Sequence, residues 1–363
     1  MDNAVRGWCH AAQHRRIRRA GNTMPDAARI KGAVMSETSS PLGKRLVVPG
    51  AGIDLSVSVS GDGPLVILMH GWPEQSLSWR HQVKALNAAG YRTAVPDMRG
   101  YGESGKPDDP AAYSLNVIAD DMQAVATSLG AAKWVAVGHD WGAPAAWRCA
   151  LRFPENVAAV FGMSVPHAGA PSVDFMQVVE AIYPDRFFYI RYFQEVGVAE
   201  AELSGVDLPK ALKQIYWGAS GEGVRRHTRR HVPRDATLMQ SGEPAPEGPL
   251  SFMSDAELEQ YAASFRAGGW RGPLNWYRNF PQNRADAQAL GDNIIRQPSG
   301  FLAGEYEVVL AMLPNQLENM RAHLADLRME VRPAGAGHWI QQERPEETNA
   351  ALIEFLGGVT TLR

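Results

Sequence analysis

Cysteine is nearly absent. Cys9 and Cys149 are the two in 363 residues, 140 positions apart, so there is no spacing for a disulfide framework or a zinc site, and the chain reads as one kept in a reducing, cytoplasmic compartment. Long apolar runs are missing too. Leu65-Val66-Ile67-Leu68-Met69 is typical of the longest, far short of the roughly 18 residues that span a bilayer. Neither sign of charge dominates: Lys+Arg 36 against Asp+Glu 39 leaves −3. Without a basic stripe, nucleic acid and anionic membrane surfaces are not expected partners. With 45% hydrophobic and 21% charged residues, the composition is that of a folded, soluble protein.

The first forty residues differ from the rest. Seven basic residues against three acidic give +4 and leave −7 for the remainder. There is no apolar h-region, which excludes a secretory signal. Met24 and Met35 both precede the first strand-like segment, so residues 1–40 are expected to be a disordered extension.

From Lys44 onward short apolar or alternating runs give way to strand–helix alternation, the pattern of a mostly parallel sheet covered by helices. Strands are predicted at Arg45–Val48, Ile53–Ser60, Leu65–Met69, Arg92–Val95, Trp134–Val137, Ala158–Met163, Gly300–Ala303 and Arg328–Val331. Helices are predicted at Trp79–Ala89, Val117–Leu129, Ala143–Phe153 and Pro345–Leu356, each stopped by glycine or proline. The stretch between the sixth and seventh strands is far too long for an ordinary connection. It is expected to form a mainly helical lid over residues 165–293, inserted into a core made of 41–164 and 294–363.

The strongest chemical signal is Val137-Gly138-His139-Asp140-Trp141-Gly142, a strand end followed by Gly-x-x-x-Gly at the mouth of a helix. This is the nucleophile-elbow pattern, in which two glycines allow a sharp turn that lifts the central side chain above the strand ends. That central residue is Asp140. Glu305 and Glu307 follow the seventh strand and His338, in Gly335-Ala336-Gly337-His338-Trp339, follows the eighth. The order nucleophile, acid, histidine is that of α/β-hydrolases. Glu307 is the expected acid, with Glu305 the alternative. Met69-His70-Gly71-Trp72-Pro73 ends the third strand where an oxyanion-hole donor belongs. The Trp72 and Trp141 amides are the expected donors, with His70, Gly71, Pro73, Gly138 and Gly142 shaping the turns.

An aspartate nucleophile restricts the substrate. Serine attacking saturated carbon would leave an ether, which histidine and water cannot cleave; a carboxylate leaves an ester, which they can. The electrophile is therefore an sp³ carbon, in an epoxide or an alkyl halide.

Together these segments resemble the α/β-hydrolase-fold epoxide hydrolases, close to the hydrolase half of the soluble type. The resemblance runs from about Val47 to Leu356 and is most specific in Tyr189-Ile190-Arg191-Tyr192-Phe193-Gln194-Glu195 and Arg271-Gly272-Pro273-Leu274-Asn275-Trp276-Tyr277-Arg278-Asn279. It implies that Tyr189 and Tyr277 hydrogen-bond the epoxide oxygen. It also implies hydrolysis of an apolar epoxide to a vicinal diol with no cofactor or metal, the epoxide and water being the only small-molecule partners. One departure is the glutamate at 307, where the family usually has aspartate. Two other readings are a haloalkane dehalogenase, which shares the aspartate nucleophile, histidine and lid, and a catalytically silent α/β-hydrolase serving as a ligand receptor, whose signature would be the loss of a triad member.

Overall fold

The computed structural model describes residues 35–226 and 231–360. A nine-stranded sheet runs through the molecule in the order β1-β2-β3-β5-β4-β6-β7-β8-β9. Eight strands fall where the sequence places them: β2 Gly43–Pro49, β3 Asp54–Ser60, β4 Leu65–Met69, β5 Arg92–Pro96, β6 Trp134–His139, β7 Val157–Met163, β8 Ser299–Leu302 and β9 Leu327–Val331. The ninth, β1 Met35–Ser40, was not expected. It pairs antiparallel with β2 at the sheet edge, within the last six residues of the segment 1–40. The rest of that segment, 1–34, lies outside the described residues.

From β5 through β9 every adjacent pair is parallel, while β1, β2 and β3 form an antiparallel edge that joins β5 through β3. Both faces are covered, and β4 shows how. Leu65, Ile67 and Met69 pack into the core on one face, against α2 (Leu115–Ser128) and α3 (Gly142–Arg152). Val66 and Leu68 point to the opposite core, formed with α1 (Arg80–Ala88) and the last helix, Pro345–Gly357. A strand buried on both faces reads as an unbroken apolar run, which is why β4, β6 and β7 stand out in the sequence.

The chain leaves β4 toward β5 on one side and returns to β6 on the other. That reversal opens a crevice at the carboxyl ends of β4 and β6, the usual ligand position in such sheets. Between β7 and β8 the chain makes a series of short helices, from Phe175–Ile182 to Phe280–Ala289, most of them on the face of α2 and α3.

Candidate active site

The elbow forms as its glycines require. Asp140 sits at φ 50°, in the left-handed region that non-glycine residues avoid and that recurs where function holds strain. A methyl group at Gly138 would collide with the Gly142 carbonyl, and one at Gly142 with the Met69 carbonyl. The turn therefore pulls β4, β6 and α3 together and leaves the Asp140 carboxylate facing the crevice.

Each oxygen of that carboxylate has its own neighbour. The Trp72 amide donates to Oδ1 at 2.7 Å, and Nε2 of His338 lies 3.4 Å from Oδ2. Of the two expected oxyanion donors, Trp72 makes the bond and Trp141 does not. His338 stands on the loop after β9, with Nδ1 2.7 Å from Oε1 of Glu307 on the loop after β8. Glu305 is elsewhere, accepting the Gly335 amide at 2.8 Å. Three residues far apart in sequence thus line up as Asp140, His338 and Glu307, and the loop absorbs the extra methylene of the glutamate. The Val309 amide also donates to Oε1 of Glu307, at 2.9 Å.

The charges are coupled. Burial alone would lower the His338 pKa, but the Glu307 charge, hydrogen bonds to Asp140 and Glu307, and the Asp140 charge outweigh it, so the imidazole titrates well above its ordinary value. For Glu307, burial would raise the pKa, yet the charge of His338 and its hydrogen bond hold it below the usual carboxylate value.

Tyr189 begins the short helix Tyr189–Tyr192, and Tyr277 lies in the 3₁₀ turn Trp276–Asn279. Their rings are 5.8 Å apart, packed on Trp72 from above. Burial, above all, keeps both phenols protonated well beyond the ordinary tyrosine range. Gln194 ties the two segments together, donating to the Ile190 and Tyr277 carbonyls, both at 2.8 Å. Arg278 reinforces the tie through the Phe193 carbonyl and Glu200.

His70 supports the β4 turn as a neutral ring. Its Nε2 accepts the Met98 amide at 3.1 Å, so Nδ1 carries the hydrogen donated to the Gly71 carbonyl at 3.0 Å. The Trp72–Pro73 bond is cis.

Behind the triad lies a network that sequence reasoning missed. Glu74, fully buried, contacts Nδ1 of His139 at 2.7 Å and accepts from the Gly71 amide at 3.1 Å and the Gln341 amide group at 2.7 Å. Nε2 of His139 donates to the backbone carbonyl of His338 at 2.7 Å. Burial would raise the Glu74 pKa, but His139 and the Gly71 amide hold it at about 2. The signal was present inside the motifs, since Glu74 follows the β4 turn and His139 precedes the elbow aspartate, but the pairing is long-range.

A cavity of about 270 Å³ opens on Asp140, Trp141, Tyr189 and Tyr277 and continues between α3 and the helix Phe280–Ala289. Pro144, Leu151, Phe175 and Phe280 make much of it apolar. Among the described residues no group of three or more His, Cys, Asp or Glu side chains is arranged to hold a metal ion, and no helix is long and apolar enough to cross a membrane.

A family model described as alpha/beta hydrolase fold matches residues 64–202. Epoxide hydrolase A of Mycobacterium tuberculosis is 38% identical over 310 residues, 85% of this chain and 95% of that protein. Among solved structures, epoxide hydrolase A from Mycobacterium thermoresistibile superposes with a TM-score of 0.80 at 39% identity, over 87% of this chain and 98% of that one. An epoxide hydrolase from an endophytic Streptomyces gives 0.80 at 37% identity, over 91% and 97%. With a doubly wound sheet, an elbow aspartate and these relatives along most of its length, the chain belongs to the α/β-hydrolase-fold epoxide hydrolases.

Proposed function

We propose that Asp140 is the nucleophile, His338 the base, Glu307 its acid partner, and Tyr189 and Tyr277 the donors to the ring oxygen as the chain hydrolyses an apolar epoxide to a vicinal diol. Oδ2 of Asp140 attacks a ring carbon, the C–O bond breaks, and the developing alkoxide takes a proton from the tyrosine pair. Neutral phenols suit this role, because a buried cation there would be costly and a phenol can both donate and transfer. The product is an ester of Asp140. His338 then removes a proton from water, and the hydroxide attacks the ester carbon. The oxyanion forms on Oδ1, held by the Trp72 amide and, as the intermediate shifts, the Trp141 amide. Collapse expels the diol oxygen, which takes a proton from His338, and the remaining water proton, left on the Asp140 carboxyl, passes to the tyrosinate, restoring the carboxylate and the phenol.

What carries this reading is the pair of contacts on one carboxylate. A hole meant for a substrate carbonyl would point away from the nucleophile, whereas here the donor bonds the nucleophile's own oxygen, where the oxyanion of an aspartyl ester would form. The chemistry also explains the coupled charges. Esterification removes the Asp140 charge, and with it part of what holds the His338 proton, so the first step prepares the base for the second.

Residues 165–293 then act as a lid on the core of 41–164 and 294–363, supplying the tyrosines and excluding water from the first step. The balance of charge and the sparse, distant cysteines support a cytoplasmic enzyme whose partners are its epoxide and water.

A single turnover in water labelled with heavy oxygen tests the roles. The label is expected in the Asp140 peptide and not in the first diol released; label in that first diol would mean direct attack by water and would overturn the assignment.

A further inference from the structure

Between β7 and β8, the helix Leu208–Ala219 ends against the loop that carries His338. The last four carbonyls of a helix have no partner within it, and here two of them bind that loop. The His338 amide donates to the Ala219 carbonyl at 2.9 Å, and the Trp339 indole to the Tyr216 carbonyl at 2.7 Å. A methyl group on Gly337 would collide with the Gly221 nitrogen and the Ala219 carbonyl, so the two segments meet backbone to backbone. The same helix reaches the loop after β4, since the Tyr216 hydroxyl donates to the Pro73 carbonyl at 3.0 Å, next to Trp72.

One carboxylate closes this junction. Oε2 of Glu343 accepts the Gly221 amide at 2.8 Å and the Gly337 amide at 3.1 Å, and Oε1 accepts the Trp339 amide at 3.1 Å. The amides on both sides of His338 are thus held by the side chain that also holds the inserted segment. Glu343 is partly buried, and burial, above all, raises its pKa although the three amides act the other way. Among the described residues no cation pairs with its carboxylate, and neighbouring Arg344 turns to Glu347. As a brace for the short helix Ile340–Glu343 it would need only the two amides of its own loop. The third, Gly221, lies 122 positions away in the chain. Tyr189 and Tyr277 are secured by other contacts, those of Gln194 and Arg278. Loosening the junction therefore displaces the imidazole and leaves the phenols in place.

We propose that Glu343 is a positioning residue for the second chemical step: its carboxylate locks the His338 loop to the helix Leu208–Ala219, so that the imidazole is held at the Asp140 ester only while that helix is seated. The role in catalysis rests on the reading of His338 as the base; the junction itself does not.

Glu343→Gln keeps the size of the side chain but offers one acceptor atom to three donors. In single turnovers it is expected to slow ester hydrolysis at least about ten-fold, as a displaced catalytic group does, while alkylation changes little, so that the alkyl-enzyme accumulates in the intact mass. Trp339→Phe removes a different bond of the same junction and should shift the two steps in the same direction. A general loss of folded enzyme lowers both steps alike. Equal slowing of both, or slowing of neither, would overturn the positioning role. The junction is read without chemistry by hydrogen exchange of peptides covering 216–224 and 335–341. In Glu343→Gln both should exchange about ten-fold faster, the size of one lost buried hydrogen bond, with β6 unchanged. Faster exchange in 335–341 alone would make Glu343 a brace of its own loop and overturn the junction. If the wild type forms no Asp140 ester, the reading of the base fails, and the exchange result alone decides whether the junction stands.

Discussion

The Trp72 amide donates to Oδ1 of Asp140 at 2.7 Å, while the other oxygen of the same carboxylate faces His338 at 3.4 Å. In the proposed mechanism one side chain is thereby divided into an atom that attacks and an atom that later carries the oxyanion. The division depends on the turn, and the turn depends on two glycines. Gly142→Ala should cost about 1–3 kcal/mol of stability through overpacking against the Met69 carbonyl, read as a lower urea midpoint at constant slope. It should also slow ester formation, because Asp140 is displaced. A variant as stable and active as the wild type would mean the elbow has room that its packing denies.

The charge coupling gives a pH prediction. Because the Asp140 charge helps raise the His338 pKa, Asp140→Ala should lower it, and the imidazole signals of His338 followed by NMR should titrate at lower pH than in the wild type. In single turnovers the same logic makes ester hydrolysis rise with pH through the pKa that His338 has in the ester form, below that of the free enzyme. An unmoved or higher titration in Asp140→Ala would separate the two groups electrically and remove the proposed handover between steps.

Replacing either Tyr189 or Tyr277 by Phe should slow alkylation by roughly a hundred-fold, the low end of general-acid effects, with a much smaller change in ester hydrolysis. Tryptophan fluorescence in stopped flow resolves the two steps, since Trp72 and Trp141 pack against the tyrosines. Equal slowing of both steps would argue for a packing role instead.

Glu74 should matter for stability and for the placement of His338. Leaving buried hydrogen-bonding groups unpaired costs about 1–3 kcal/mol, and Glu74→Gln is expected near the lower figure because the amide keeps some hydrogen bonds. The sign of the acid dependence follows from the depressed pKa. A carboxylate held at about 2 in the fold and near 4.5 when unfolded contributes stability that is fully present above 4.5 and is lost as pH falls toward 2. Urea midpoints measured across that window should fall less steeply for Glu74→Gln than for the wild type, and parallel curves would assign the acid sensitivity to other groups.

The sheet was legible in the sequence because its central strands are short, doubly buried and punctuated. Asp140 and His338 were legible for a related reason, each sitting in a glycine-bounded loop just after a strand. Tyr189 and Tyr277 were identified through their motifs alone; no local pattern shows that rings 88 positions apart meet over Trp72. The Glu74–His139 pair escaped notice because it is a product of packing, joining residues that carry no signal until β4 and β6 converge. Strand β1 escaped because Met35–Ser40, MSETSS, has no apolar alternation; an edge strand is set by pairing with β2, not by burial.

The central claim is that Asp140 becomes an ester, and His338→Gln should let that ester accumulate by removing the base. Incubation of this variant with a panel of epoxides and haloalkanes, followed by intact mass and peptide mapping, is expected to show an adduct with the full mass of an epoxide on Asp140. An adduct reduced by the loss of halide would instead point to a dehalogenase, and an epoxide adduct on any other residue, or none across epoxides that the wild type consumes, would contradict the account.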